Sequence, residues 1–537
     1  MIQGLASLYS WRLPQQLLRM LAAQDYRAWP YLKTFWQTQD FSREIEVRHP
    51  VAGWASFLLY MVAVLELALG VAYVWLWHIY GLIGGLEFGV ALILAYPLVL
   101  AHLLVLPILL WRLLHPKATG KAFLTAMLSH QVRRLRTRHS FKVVGVAGSV
   151  GKTSTKIAVA RLLSASAKVQ WQEGNYNDPV TVPLIFFGHS QPHIFNIVAW
   201  ARILLANERM LRRPYPYKYV VAELGTDTPG TIKQFAYLKP DLVIITAVTP
   251  EHMEYFGTLD AVAAEELTAL RYAKQSLVNI DDVPAAYLKD QTYLSFGLTS
   301  KATYYVSKRK SKAHHGGQTV TFYVQKDHKI DTHIALLGEQ GAKVAVAAVA
   351  AGHVLGLDKH ALEAGIATLA AFAGRMQVLP GVKNSTLIDD TYNASPVAAK
   401  AALDVLYSGS APQRIAILGS MNELGDYSPE AHTEVGEYCD PKKLDLVITI
   451  GRDAERYLAP AAQARGCTVM SFTSPYDAGN YVLSGLEEGA VVLAKGSQNR
   501  VFAEEALKAL LADPEDAHKL VRQSPYWLKI KRKQFKP

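Results

Sequence analysis

The longest feature of the hydrophobic pattern is a nearly unbroken apolar stretch from Gly53 to Leu114. It divides near His78 to Gly85 into two runs, Trp54 to Trp77 and Leu86 to Trp111. Each exceeds the ~20 residues needed to cross a hydrocarbon layer ~30 Å thick, which predicts a two-helix transmembrane hairpin over residues 51–114. The turn between the runs carries no Lys or Arg, whereas Arg43 and Arg48 precede the stretch and Arg112, Lys117, Lys121, Arg133, Arg134, Arg136 and Arg138 follow it. By the positive-inside bias both flanks face the cytoplasm, which predicts a multi-pass protein of the cell membrane with its downstream domains cytoplasmic. Glu66 and His102 fall inside the runs, and Glu66 is expected to be protonated or hydrogen-bonded across the hairpin rather than to serve transport. Residues 1–50 mix Tyr9, Trp11, Tyr26, Trp29, Tyr31, Phe35 and Trp36 with basic side chains, a composition suited to an amphipathic segment at a membrane surface. No apolar core of signal-peptide type precedes the first run.

After a basic connector, 115–140, the pattern changes to short β-branched runs separated by helical lengths. Phe141 to Ala147 reads as a buried strand, a helix follows over Thr153 to Leu163, and further strands are expected at Tyr219–Glu223, Leu242–Thr246 and Ser276–Asn279. Short apolar strands alternating with helices predict an open parallel sheet covered on both faces. A second series at Ser385–Asp389, Arg414–Leu418, Leu446–Ile450 and Ala490–Ala494 predicts a separate doubly wound, Rossmann-like domain. The division falls near Ala371 to Gly374, just after an alanine-rich helix at Ala342–Leu355, giving an α/β chain with domains at 141–370 and 371–537. Between the two series, His314 and His315 sit in a charged, glycine-bearing segment that reads as a hairpin tip rather than a metal site.

A chain of 537 residues is too long for one core. Its 56 basic and 45 acidic residues give +11, with the surplus beside the apolar stretch and at the C-terminal end, which favours anionic lipid over nucleic acid as a partner. The two cysteines, Cys439 and Cys467, support neither a disulfide framework nor a thiolate metal site. The tail from Tyr526 to Lys536 alternates apolar groups with cations and reads either as a second membrane-surface contact or as a solvated tail.

The chemistry centres on Gly148-Ser149-Val150-Gly151-Lys152-Thr153-Ser154. A glycine turn between a strand and a helix offers backbone N–H groups and the helix dipole to phosphate oxygens; Lys152 adds charge for the outer phosphates, and the Thr153 hydroxyl is placed for Mg²⁺. Val146 stands where a full Walker A loop has its first glycine, so this is the shorter GxxGK[ST] form.

That loop is followed by Glu173-Gly-Asn-Tyr-Asn-Asp178, Ala222-Glu-Leu-Gly225 and Pro250-Glu-His-Met-Glu-Tyr-Phe-Gly257. Further on come Gly374-Arg375, Asp389-Asp-Thr-Tyr-Asn-Ala-Ser-Pro396, Leu418-Gly-Ser-Met-Asn-Glu-Leu-Gly425 and Lys495-Gly-Ser497. In order and spacing, over about residues 141–510, these motifs resemble the Mur ligase family, above all its branch that adds D-alanyl-D-alanine to a UDP-muramoyl tripeptide. The resemblance implies an ATP- and Mg²⁺-dependent amide ligase that works on a cell-wall precursor and an amino acid or dipeptide through an acyl phosphate. It implies catalytic roles for Lys152, Glu223 and His252, with Thr153, Glu223 and His252 as magnesium ligands. Arg375, Asp389, Asp390, Tyr392 and Asn393 are then expected to reach the nucleotide across an interdomain cleft, Asn175, Asn177 and Asp178 to lie on the acceptor side, and Lys495 and Ser497 to meet the incoming amine's carboxylate.

Three departures accompany the resemblance. The family's soluble UDP-gripping N-terminal domain has the apolar hairpin in its place. The family's carbamylated lysine falls at Glu266, next to Glu265; Glu266 can serve as a magnesium ligand in its stead, or both can be helix surface. The adenine-side motif reads Gly338-Glu-Gln-Gly-Ala-Lys-Val344. The same ligase chemistry on a lipid-linked or polymeric acid, and a non-catalytic ATP-binding envelope scaffold, are the competing readings.

Overall fold

The structure, a computed structural model, describes residues 13–24, 28–37, 53–81, 84–85, 87, 116–174, 176–312, 316–325, 328–422, 424–498 and 500–535. Residues 1–124 with 193–195 form one unit and the remainder a second.

In the first unit, helices Leu13–Ala23 and Ala28–Gln37 bury Leu13, Leu17, Met20, Leu21 and Tyr31. The first apolar run forms a single helix, Gly53–Ile79, with Leu65, Leu69 and Trp75 exposed. A spanning hairpin needs two such helices. The second run, with Glu87 excepted, lies outside the described residues, as do His102 and the side chain of Glu66. Among the described residues no helix is long and apolar enough to cross a membrane. The expected transmembrane hairpin and the multi-pass membrane location are therefore corrected.

The second unit contains two sheets. The first has nine strands: β1 (Lys142–Ala147), β2 (Val169–Gln170), β3 (Tyr219–Glu223), β4 (Leu242–Ile245), β5 (Gln275–Asn279), β6 (Leu294–Gly297), β7 (Tyr304–Lys312), β8 (Gly317–Val324) and β9 (His328–Ile334). Their order is β2-β3-β1-β4-β5-β6-β7-β8-β9; pairing is parallel as far as β7 and antiparallel through β8 and β9. Alternate residues of the central strands bury opposite ways. Val144, Val146, Val221 and Ile244 pack with helices Lys152–Ser164 and Gly338–Val354, whereas Val143, Val220, Val243 and Val278 pack with helix Thr181–Phe187 and the 3₁₀ turn Ile232–Leu238. Burial on both faces is why these strands read as unbroken apolar runs. His314 and His315 lie outside the described residues.

The second sheet has six strands: β10 (Gln377–Pro380), β11 (Thr386–Asp390), β12 (Arg414–Gly419), β13 (Leu446–Ile450), β14 (Val469–Phe472) and β15 (Val491–Lys495). The order is β10-β11-β15-β12-β13-β14, parallel except for the antiparallel edge strand β10. Of the two forms expected of the C-terminal tail, the solvated run is corrected. The tail folds as helix Pro525–Gln534 with Lys531 fully buried.

In the first sheet the chain runs from β1 outward to β2 and β3 on one side and then to β4 on the other. Ligands of open α/β sheets gather at the carboxyl ends of strands where the order switches in this way. The glycine loop leaves β1 at that point.

Candidate nucleotide site

Two glycines shape the loop after β1. Gly148 has φ +119°, and a Cβ there would lie 2.4 Å from Thr246 Oγ1 and 2.8 Å from the backbone nitrogen of Ala247. Gly151, at φ +86°, caps helix Lys152–Ser164 in the left-handed conformation that glycine adopts without strain. The end of β4 holds the loop from behind: Ser149 N–H donates to Ala247 O at 2.9 Å, and Thr249 N–H donates to Ser149 Oγ at 2.8 Å. The first-turn amides of a helix have no intrahelical acceptor, so they and the dipole suit an anion at this turn.

Lys152 is mostly buried, and its Nζ donates to Glu251 Oε2 at 3.1 Å and to Ser149 O at 3.1 Å. Burial disfavours its charge, but the carboxylates of Glu251, Glu266 and Glu223 together outweigh that and hold its pKa above the ordinary value. Glu223 ends β3, buried, with Asn177 Nδ2 donating to its Oε1 at 3.4 Å. Its Oε2 lies 3.3 Å from Nζ of the fully buried Lys156, an ion pair whose alignment falls short of a hydrogen bond. His252, in left-handed backbone at φ 49°, sets Nε2 3.6 Å from Asp227 Oδ1 and 3.7 Å from Glu251 Oε1.

Glu266 is buried, not on the helix surface that is one of its two sequence readings. It ends helix Leu259–Glu266, is fully buried, and accepts the Gly148 N–H at 2.7 Å through Oε2. Its Oε1 has no hydrogen-bond partner among the described residues. Burial, opposed by Lys152 and reinforced by Glu251, pushes its pKa up to about 7. Glu265 is also buried and accepts backbone N–H groups of Gly230 and Ile232, each at 2.7 Å. Neither residue is helix surface, and Glu266 stands behind the loop rather than among the groups facing the cleft.

The second sheet contributes the opposite wall. Arg375 lies 4.4 Å over the Tyr392 ring, and its buried Nε has no hydrogen-bond partner among the described residues. Asp389, fully buried at the end of β11, accepts Gly374 N–H at 3.0 Å and the Thr391 hydroxyl at 2.6 Å; burial pushes its pKa up to about 6. Asp390 pairs at 2.6 Å with Lys495, which also donates to Asn393 O at 3.0 Å. Burial pulls the Lys495 pKa down against the attraction of Asp390. The Ser497 hydroxyl accepts the Asn422 N–H at 2.9 Å. Asp389, Asp390, Lys495 and Ser497 are thus held by internal partners, and Asp178 accepts the N–H groups of Val180 and Thr181 where helix Thr181–Phe187 begins.

These side chains frame a cleft of about 580 Å³. Ser149, Val150, Gly151, Lys152, Thr153, Asn177, Asp178, Glu223 and His252 line it from one sheet, and Arg375, Tyr392 and Asn393 from the other. An adjoining narrow slot runs from Val150, Gly151 and Ser154 between Leu336, Gln340, Gly341, Val344, Phe372 and Met376, with Asp390 and Lys495 at its wall. Asn175 lies outside the described residues. Sequence reading missed Glu251, Asp227 and Lys156; the one available signal was that Glu251 directly precedes His252 in a motif already singled out.

The residues fit a nucleotide with magnesium. The Gly148 cradle would be filled by a Cβ, and the buried Glu223 Oε2, lacking a hydrogen-bond donor, offers a hard oxygen on the cleft that Thr153 also lines. Among the described residues no group of three or more His, Cys, Asp or Glu side chains could hold a metal ion. Magnesium sites of this kind use one or two carboxylates plus phosphate oxygens.

Residues 201–352 match the family model described as Mur ligase middle domain, and residues 374–498 match Mur ligase, glutamate ligase domain. The UDP-N-acetylmuramoyl-tripeptide--D-alanyl-D-alanine ligase of Bacillus subtilis is 27% identical over 385 residues, covering 70% of this chain and 76% of that protein. The ligase of the same description from Synechocystis is 28% identical over 379 residues, covering 70% and 76%. Among solved structures, MurF from Acinetobacter baumannii superposes with a TM-score of 0.59 at 22% identity, covering 72% of this chain and 80% of that one. MurF ligase from Thermotoga maritima in complex with ADP gives 0.58 at 22%, covering 74% and 84%.

Proposed function

We infer the reaction from the premise that this chain belongs to the Mur ligase family and is an ATP-dependent, ADP-forming ligase that uses magnesium. We propose that it joins D-alanyl-D-alanine to a UDP-N-acetylmuramoyl tripeptide, the reaction named for the Bacillus subtilis and Synechocystis relatives. The observation that carries the proposal is the convergence of Lys152, Glu223 and His252 on one cleft, with Arg375, Tyr392 and Asn393 opposite.

ATP, when bound, supplies the phosphoryl group that converts the acid's carboxylate into an acyl phosphate, which the amine attacks with loss of phosphate. The chain's part is to gather and neutralise the oxyanions. Lys152 and the loop amides would meet phosphate oxygens. Thr153 and Glu223 would hold the magnesium, with Lys156 and Asn177 keeping Glu223 in place. His252 offers its imidazole on the acyl side of the same cleft. The apolar slot beside Gly151 would take the base, and Arg375, steadied on Tyr392, would cover the nucleotide from the second sheet.

The test is phosphate release from ATP by the purified chain. Release is expected only when UDP-muramoyl tripeptide and D-alanyl-D-alanine are both present, and Lys152→Ala is expected to lower it at least a hundredfold. Release that ignores either substrate, or survives Lys152→Ala, overturns the assignment.

A further inference from the structure

The glutamate ligase domain match ends at residue 498, yet the segment beyond it reaches back to the cleft wall. Arg522, in left-handed backbone at φ 56°, sends its guanidinium to two consecutive carbonyls: Nη1 donates to Tyr392 O at 3.0 Å and Nη2 to Thr391 O at 2.6 Å. The other side of the fork is held by Glu504, with Nε to Oε1 at 2.8 Å and Nη2 to Oε2 at 2.7 Å. Lys531, on helix Pro525–Gln534, fixes this arrangement. Its fully buried ammonium lies 2.9 Å from Glu504 and 2.5 Å from Glu505, and it donates to Arg522 O at 2.9 Å. Val521 presses on Gly374, where a Cβ would come within 2.7 Å of Val521 Cγ1.

The loop so gripped is the one that presents Tyr392 and Asn393, and it is knitted to the segment between the two sheets. Tyr392 N–H donates to Gly374 O at 3.0 Å, Gly374 N–H to Asp389 at 3.0 Å and Met376 N–H to Asp390 at 3.1 Å. A guanidinium bound to two carbonyls and one carboxylate fixes a plane that a lysine's single ammonium does not. We propose that the C-terminal segment, residues 520–535, is a brace for the active site, with Arg522 a positioning residue that sets loop 390–393 and, through Tyr392, Arg375. Only the last consequence, weaker nucleotide binding, rests on the function proposed above.

The experiment compares the full-length chain with Arg522→Gln and Arg522→Lys by hydrogen exchange and by titration with MgADP. In Arg522→Gln, the amides of Gly374, Met376 and Tyr392 are expected to lose at least tenfold protection while those of helix Lys152–Ser164 keep theirs. Arg522→Lys should fall between the two. MgADP dissociation is expected to weaken about tenfold in Arg522→Gln. Unchanged exchange at those three amides overturns the brace, as does an equal loss across the whole six-stranded sheet, which marks a merely stabilising tail. Failure of the unaltered chain to bind MgADP sinks the nucleotide reading, while exchange still decides the brace.

Discussion

At the scale of single residues, the site depends on charges that only the fold brings together. Lys156 is fully buried against Glu223, so replacing it with Met leaves a buried carboxylate without its nearest countercharge. Breaking one side of a buried pair costs about 3–5 kcal/mol. Lys156→Met should lose that much in urea unfolding, and Glu223→Gln in the same chain should restore a large part of it; a loss under ~1 kcal/mol would show the pair to be well solvated. Glu266 gives a pH signature. Its carboxyl titrates at about 7 when folded, against 4.5 as the ordinary value. A raised pKa means the folded chain holds the proton more tightly, so stability is full below pH ~4.5 and falls as pH rises through ~7. Glu266→Gln removes that loss, and the variant should be more stable than the parent at pH 8 by about 3 kcal/mol, converging with it near pH 5. Thermal unfolding of both across that range checks it, and a gap that does not change with pH would mean Glu266 is ionised in both states. The sequence made Lys152 legible through the chemistry of its glycine loop, and Glu223 and His252 through the resemblance of their motifs to the family. Lys156 escaped notice because, four residues on from Lys152 in a helix, it resembles any solvated lysine.

At the scale of elements, the loop after β1 was readable because its glycines carry a steric demand that no other residue meets. Gly148→Ala places a Cβ against Thr246 and the backbone of Ala247 at a φ that alanine rarely adopts. It should destabilise the chain by about 2–3 kcal/mol and abolish MgADP binding. Calorimetry reads both, and intact binding would show that the loop can move aside. Strands β1, β3, β4 and β13 stood out because burial on both faces leaves almost no polar position along them. Strands β2 and β14 did not. The first has two residues, and the second, at the sheet edge, keeps Met470 and Ser471 exposed. The tail helix was misread for a related reason: Lys529 to Lys533 looks like a solvated charge run, and only the structure shows Lys531 turned inward onto Glu504 and Glu505.

At the scale of the whole molecule, the binding cleft belongs to neither sheet alone. Lys152, Thr153 and Glu223 stand at strand ends or helix starts of the nine-stranded sheet, whereas Arg375, Tyr392 and Asn393 come from the loops of the six-stranded one. The order of motifs along the chain announces both sets, but the distance between them is fixed by long-range packing that no local pattern encodes. A nucleotide touching both walls adds its binding energy to both. With MgADP at a hundred times its dissociation constant, linkage predicts about 2.7 kcal/mol of added stability. Calorimetric scans should therefore show every transition of the two-sheet unit move upward together. In Arg375→Ala the nucleotide keeps its hold on the glycine loop but loses the contact across the cleft, so the transition of the six-stranded sheet should stay where it lies without ligand. If MgADP raises only one transition in the unaltered chain, the two walls do not share the ligand, and the nucleotide sits on the nine-stranded sheet alone.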